Sequence, residues 1–171
     1  MKNRELHRIT STAIIVKNGR YLIIRRSLNK KSFPGKWTVP GGGLETDDYT
    51  TTPKTTQDHW YFAIEKSLRR EIREEVNLEV KELDYLLDLA FILPDETPTI
   101  VLSFWSHYKS GKVRIDEDSI DYKWATLKEL KNYDLVEGLY EEIEMVDRML
   151  KKGSRKTVSY RKRQKIQVSR P

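Results

Sequence analysis

Gly42, five residues and then Asp48 make one half of an acidic pattern; Arg70-Glu71-Ile72-Arg73-Glu74-Glu75 makes the other, and the reading of the two decides the fold. On a helix, Glu71 and Glu75 lie one turn apart at i and i+4. Glu74 sits at i+3, so three carboxylates project from nearly one face. Their mutual repulsion calls for a cation. Carboxylate oxygens suit hard divalent ions, and Mg²⁺ in particular binds through a few carboxylates together with waters and phosphate oxygens. The chain has no cysteine, and His7, His59 and His107 are far apart in sequence, which argues against zinc.

Working outward, Ile64, Leu68, Ile72 and Val76 recur every four residues, an apolar stripe beside the carboxylates that predicts a helix packed on a sheet. Upstream, Thr12 to Lys17 and Tyr21 to Arg26 flank Asn18-Gly19, a strong hairpin signal. Trp37 to Pro40 reads as a short strand running into Gly41-Gly42-Gly43, where a ligand can approach the backbone closely. Residues 49–62 are polar and threonine-rich, which predicts a mobile exposed loop at the rim of the site, with helix resuming near Tyr61. Downstream, strands are expected at Leu83 to Ile92 and Thr99 to Tyr108, joined by a turn over 93–98. A hairpin at Ser110-Gly111 leads into a strand at Lys112 to Ile115, and a last strand spans Tyr122 to Ala125. A short helix at Leu127 to Lys131 and a longer one at Val136 to Leu150 close the order. The expected fold class is α/β, a mixed β-sheet sandwiched between helices.

The chain has 171 residues, enough for one domain with a good core. Its net charge of +6 is unevenly spread. Nine of the 32 Lys and Arg fall in 151–171, which holds no acid, so residues 1–150 are net −3. The division expected is a domain over 1–150 and a basic tail over 151–171, the latter capable of weak nucleic-acid contact through phosphate neutralisation. The first residues lack the apolar run of a secretion signal and no stretch is long enough to span a bilayer, so a cytoplasmic setting without membrane contact is expected. No oligomeric state follows from the sequence.

The acidic constellation resembles the signature of the Nudix hydrolases: G, five residues, E, seven residues, R-E-U-x-E-E-x-G-U, with U a bulky aliphatic. Gly42 and Asp48 match its first spacing with Asp for Glu. Ala63 to Arg69 supply the seven, and Arg70, Glu71, Ile72, Glu74, Glu75 and Leu78 match the rest. Residues 49–62 are an insertion within the signature. Asn77 stands where the family has glycine, and Asn tolerates a left-handed turn better than other side-chain-bearing residues.

The resemblance implies an α/β/α fold and Mg²⁺-dependent hydrolysis of a pyrophosphate bond in a nucleoside diphosphate derivative, with Mn²⁺ as a substitute ion. It implies Glu71, Glu74 and Glu75 as metal ligands with the Gly41 carbonyl, and Arg70 as the group that orients an acid. The general base is a signature glutamate or an acid on a later loop; the run Asp116-Glu117-Asp118, centred on Glu117, is the later-loop candidate and reads equally as a solvated turn. Arg25 or Arg26 is expected to clamp a phosphate, since only one of two adjacent strand residues faces the site. Gly42 and Trp37 are further substrate-binding candidates. Phe33, Trp105 and Tyr108 are, like Trp37, either base-stacking surfaces or, more commonly for aromatics, core. A nucleoside triphosphate is the favoured substrate. ADP-ribose or a nucleotide sugar, an RNA 5′ end, and a non-catalytic nucleotide-binding role stay open. Pro94, sixteen positions after Leu78, resembles the marker proline of ADP-ribose enzymes and reads equally as a turn residue.

Overall fold

A computed structural model describes residues 5–153, so most of the basic tail lies outside the described residues. In chain order the strands are β1 (Arg8–Lys17), β2 (Arg20–Arg26), β3 (Trp37–Thr38), β4 (Gly41–Gly43), β5 (Leu78–Val80), β6 (Asp84–Ile92), β7 (Pro98–Gly111) and β8 (Ser119–Ala125). The helices are α1 (Asp47–Thr50), α2 (Ala63–Val76) and α3 (Leu139–Lys151), with a 3₁₀ turn at Glu129–Asn132.

β1 and β2 form the expected hairpin. Asn18 and Gly19 have φ of 50° and 71°, the left-handed pair that a tight hairpin turn requires. Their pairing stays close to the turn, with Val16 opposite Tyr21 and Lys17 opposite Arg20. Beyond it the strands part. β1 runs parallel to β7 from Arg8 opposite Thr99 to Val16 opposite His107, while β2 pairs antiparallel with β8. β4 lies along the start of β1, and β6 lies along β7.

The alternation of side chains along these strands divides the core. Ala13, Ile15, Leu22, Ile24 and Phe104 face one side, where Leu68, Ile72 and Val76 of α2 cover them. Ile14, Val16, Tyr21, Ile23 and Trp105 face the other, under Leu139, Ile143 and Val146 of α3. The sheet is mixed and covered by helices on both faces, as the sequence predicts.

Three elements differ from expectation. Lys112 to Ile115 is not a strand, because the edge of β7 at that end is taken by β5: Leu78 pairs with Gly111, Glu79 with Ser110 and Val80 with Tyr108. Gly111 makes this possible, since a Cβ there would stand 2.6 Å from the Asn77 carbonyl oxygen. Asn77 itself ends α2 in the left-handed region, φ 55°, as expected of a residue in the glycine position. The 3₁₀ turn replaces the short helix of 127–131, and α3 starts only after Gly138, whose φ is 83°.

The insertion is the third. It begins with α1 and closes on itself: Trp60 Nε1 donates to the Thr52 carbonyl at 2.9 Å, and the Tyr49 and Trp60 rings lie 5.6 Å apart. The threonines bond back to the preceding turn, Thr50 Oγ1 to the Thr46 carbonyl at 2.9 Å and Thr51 Oγ1 to that of Asp47 at 2.7 Å. A polar composition therefore gives a pinned lobe rather than an open loop.

Ile72 is fully buried on the α2 face. Ile72→Ala is expected to lower unfolding free energy by about 2–5 kcal/mol in a denaturant titration, the range for deleting a buried aliphatic side chain.

Candidate active site

The site forms where α2 passes beneath β4. Gly41, Gly42 and Gly43 pair with Thr12, Ser11 and Thr10 of β1. Both sides of this strip are crowded. A Cβ on Gly41 would lie 2.2 Å from the Ser11 carbonyl oxygen, and one on Gly42 would lie 2.3 Å from the carboxyl carbon of Glu71. Only glycine lets the helix carboxylates touch this backbone. Glu75 Oε2 accepts the Gly41 N–H at 2.8 Å, and Ser67, two turns earlier on α2, donates from Oγ to the Gly43 carbonyl at 3.2 Å.

Arg70 ties the two halves of the signature together. Its Nε donates to Asp48 Oδ1 at 2.5 Å and its Nη2 to Asp48 Oδ2 at 3.1 Å. Nη1 lies 2.8 Å from Glu74 Oε2 and 3.0 Å from Glu71 Oε1, and Nη2 reaches the Gly43 carbonyl at 3.3 Å. Only 3% of the Asp48 side chain is exposed. The Glu45 amide bonds it at 2.8 Å, and the Arg70 guanidinium before all else lowers its pKa to about 2. Asp48 is therefore the anchor of Arg70, and the lobe of 49–62 is looped out without disturbing the pair.

The expected ligands are brought together in part. Glu71, Glu75, Gly41 and Gly42 meet at the glycine strip, while Glu74 stands at the outer edge with 57% of its side chain exposed. Among the described residues no three acidic or histidine side chains are gathered into a cage. The reason is visible: the Arg70 guanidinium lies between Glu71 and Glu74. The donor set is nonetheless all oxygen, carboxylates beside a backbone strip with no room for a side chain, and it fits a hard divalent cation. Burial raises the pKa of Glu75 to about 8, with the charges of Glu71 and Asp116 adding and the Gly41 N–H and Arg26 opposing. Glu71 is raised as well, by burial first and against Arg70. Both shifts record, before all else, carboxylates withdrawn from water.

Other expected positions are corrected. Glu117 is exposed; its neighbour Asp116 is the acid that meets Glu75, its amide donating to the Glu75 carbonyl at 3.2 Å and its charge acting on the Glu75 carboxyl. Of the two arginines, Arg26 shares the face of Leu22 and Ile24 and interacts with Glu75, while Arg25 is exposed and donates to the Gly35 carbonyl at 3.1 Å. Trp37 is not a substrate surface. It is 8% exposed in the core beneath α3, edge-on to Tyr133 at 4.9 Å. Trp105 is likewise core, whereas Phe33 is 41% exposed. Pro94 lies in the turn between β6 and β7. Sequence reasoning passed over Ser67, whose signal is its place one turn before Glu71 on the helix face that meets the glycines.

Asp48→Asn should destabilise the fold at neutral pH by about 2 kcal/mol, the scale of a hydrogen bond to a charged group. Because the folded pKa of Asp48 is depressed, this contribution is present above about pH 4 and fades as pH falls towards about 2. Denaturant titrations of both proteins between pH 7 and pH 2 should show the difference shrink.

The family model for the NUDIX domain matches residues 6–146. The chain is 31% identical over 133 residues to the nucleoside triphosphatase NudI of Klebsiella pneumoniae, covering 71% of this chain and 84% of that protein. It is 30% identical over 132 residues to NudI of Escherichia coli K12, with the same coverage. Among solved structures, a MutT protein from Methanosarcina mazei superposes with a TM-score of 0.66 at 25% identity, over 86% of this chain and 98% of that one. The NUDIX domain of Shewanella oneidensis NrtR, solved with ADP ribose, shares the fold with a TM-score of 0.64 at 17% identity, over 85% and 90%. With its signature spacing kept across the insertion, its helix carboxylates on the glycine strip and its sheet between helices, the chain belongs to the Nudix family.

Proposed function

We propose that this chain hydrolyses a pyrophosphate bond of a nucleoside triphosphate, using Mg²⁺ or, in its place, Mn²⁺. The observation that carries the reading is the set of α2 carboxylates pressed on Gly41 to Gly43 and organised by Arg70. The choice of a triphosphate is supported by the two NudI relatives, which are nucleoside triphosphatases.

Glu71, Glu74 and Glu75, with the Gly41 carbonyl, would hold the cation. When bound, it supplies neutralisation of the pyrophosphate charge and a lowered pKa for attacking water. The chain's own residues do the rest. Arg26, half-buried on the Glu75 side of the sheet, presents a guanidinium to the phosphates. Glu75 is fixed by the Gly41 amide, so its free oxygen keeps one direction. Asp116, raised in pKa by burial, stands next to Glu75 as the carboxylate that, acting as general base, would accept the proton of the attacking water. Arg70, held by Asp48, keeps Glu71 and Glu74 aligned while the substrate enters.

Purified protein is expected to release pyrophosphate or phosphate from nucleoside triphosphates in Mg²⁺ and to stop when EDTA is added; no turnover of triphosphates, dinucleotides, nucleotide sugars or ADP-ribose would refute the proposal. Glu74→Gln and Glu75→Gln should each reduce kcat by about a hundredfold or more, the scale on which transition-state charge stabilisation is lost. Near-normal turnover of both variants at saturating Mg²⁺ would remove α2 from the chemistry.

A further inference from the structure

Arg26 and Asp116 belong neither to the glycine strip nor to α2, and they stand on different stretches of chain. Arg26 ends β2, and Asp116 comes three residues before β8. The two strands pair antiparallel, but the register slips beside Arg26: Arg25 faces Asp121, whereas Arg26 faces Ser119. A slip of this kind disrupts the ladder locally. The residues after β2 restore the attachment. The Ser27 amide donates to the Asp118 carbonyl at 2.9 Å, and Lys30 Nζ donates to Asp118 Oδ2 at 2.5 Å.

Asp118 in turn holds Asp116. Residues 116–119 form a turn, and within it the Asp118 amide donates to Asp116 Oδ1 at 3.1 Å, the bond by which an aspartate closes a turn on itself. The Asp116 amide donates to the Glu75 carbonyl at the end of α2. The loop after β2 also holds the guanidinium, since Arg26 Nε donates to the Ser32 carbonyl at 2.9 Å. That loop is closed on itself, with the Lys30 amide on the Ser27 carbonyl at 3.2 Å and the Asn29 amide on Ser27 Oγ at 3.3 Å.

Charge explains the lysine. Asp118 brings Asp116 a useful amide and an unwelcome carboxylate, because the two acids repel each other and Glu75 is a third acid beside them. Lys30 neutralises Asp118, and its charge acts on Asp116 in the sense opposite to that of Asp118. The two side chains are 32% and 49% exposed, so the pair adds little to stability. Its effect falls on position.

We propose that Lys30 is a positioning residue of the hydrolysis, which acts through Asp118 to seat the Asp116 turn against the end of α2. The inference rests on the proposed hydrolysis, in which Asp116 takes the proton of the attacking water and Arg26 meets the phosphates. A base moved off its water loses rate without loss of bound substrate. Arg26 is held by the Ser32 carbonyl and not by the Lys30 side chain, so phosphate binding should survive the loss of Lys30.

The test is steady-state kinetics with the best nucleoside triphosphate at saturating Mg²⁺. Lys30→Met, which keeps the stem and removes the charge, is expected to lower kcat by about tenfold with KM within about twofold, and Lys30→Arg to keep at least about half of the parent rate. Asp118→Ala should lower kcat by about threefold or more. Because the two residues act along one path, the double variant should match Lys30→Met within about twofold. Thermal denaturation should place each variant within about 5 °C of the parent. A large fall in melting temperature alongside the fall in kcat makes Lys30 merely structural. A rise in KM with kcat kept makes it a phosphate ligand, and losses that multiply in the double variant separate it from Asp118. Any of these, or unchanged kinetics in either single variant, overturns the positioning role and leaves the hydrolysis standing. Absence of turnover by the unaltered protein overturns the hydrolysis and this inference with it.

Discussion

The ion pair of Arg70 with Asp48 joins two stretches of chain that the lobe of 49–62 keeps apart in sequence. Arg70 donates to both oxygens of Asp48, an acid almost wholly withdrawn from water, and from that fixed position reaches Glu71, Glu74 and the Gly43 carbonyl. A planar guanidinium suits this role better than an ammonium, because its donors diverge in one plane and cannot all swing away together. The pair also explains how an insertion inside a catalytic signature is tolerated. α1 hands Asp48 to Arg70 before the lobe departs, and Phe62, in the left-handed region with φ 63°, turns the chain back into α2. The length of the loop between them costs little free energy, since closure entropy grows only slowly with length.

The glycine strip sets a second constraint. It lies against β1 so closely that neither Gly41 nor Gly42 has room for a Cβ, and the close approach lets Glu75 bond the backbone while the carboxyl of Glu71 abuts Gly42. Strand alternation then assigns work to the two faces of the sheet. On one face Arg26 reaches the charge of Glu75 on α2; on the other Thr12 and Ser103 turn towards α3, where Ser103 bonds Glu142. β1 belongs to both faces at once, which is why a group held at Thr12 and a group held at Gly41 are neighbours.

Legibility in the sequence followed the range of the interactions involved. The hairpin at Asn18-Gly19, the four-residue stripe on α2 and the carboxylate spacing are local patterns, and each is found where it was expected. What could not be read depends on partners distant along the chain. β5 is three residues long and exists because β7 offers it an edge; the sequence after Gly111 looks as suited to a strand, but that edge is occupied. The choice between Arg25 and Arg26 depends on which strand face meets α2. Asp116 and Glu117 differ by one position and by nothing in composition, and only the path of residues 112–118 past the end of α2 sets one beside Glu75. Trp37 reads either way from sequence, since an aromatic beside a glycine-rich strand suits base stacking or core, and its ring fills the core beneath α3.

Glu75 and Glu142 are the same chemical group, both pushed up in pKa first by burial, and they differ in their partners. Glu75 has a backbone N–H, the field of Arg26 and two further acids beside it, an arrangement that repels itself until positive charge arrives. Glu142 accepts from the Ser103 hydroxyl, which lies beside that of Thr12, and this hydrogen bond opposes the upward push of burial on its pKa.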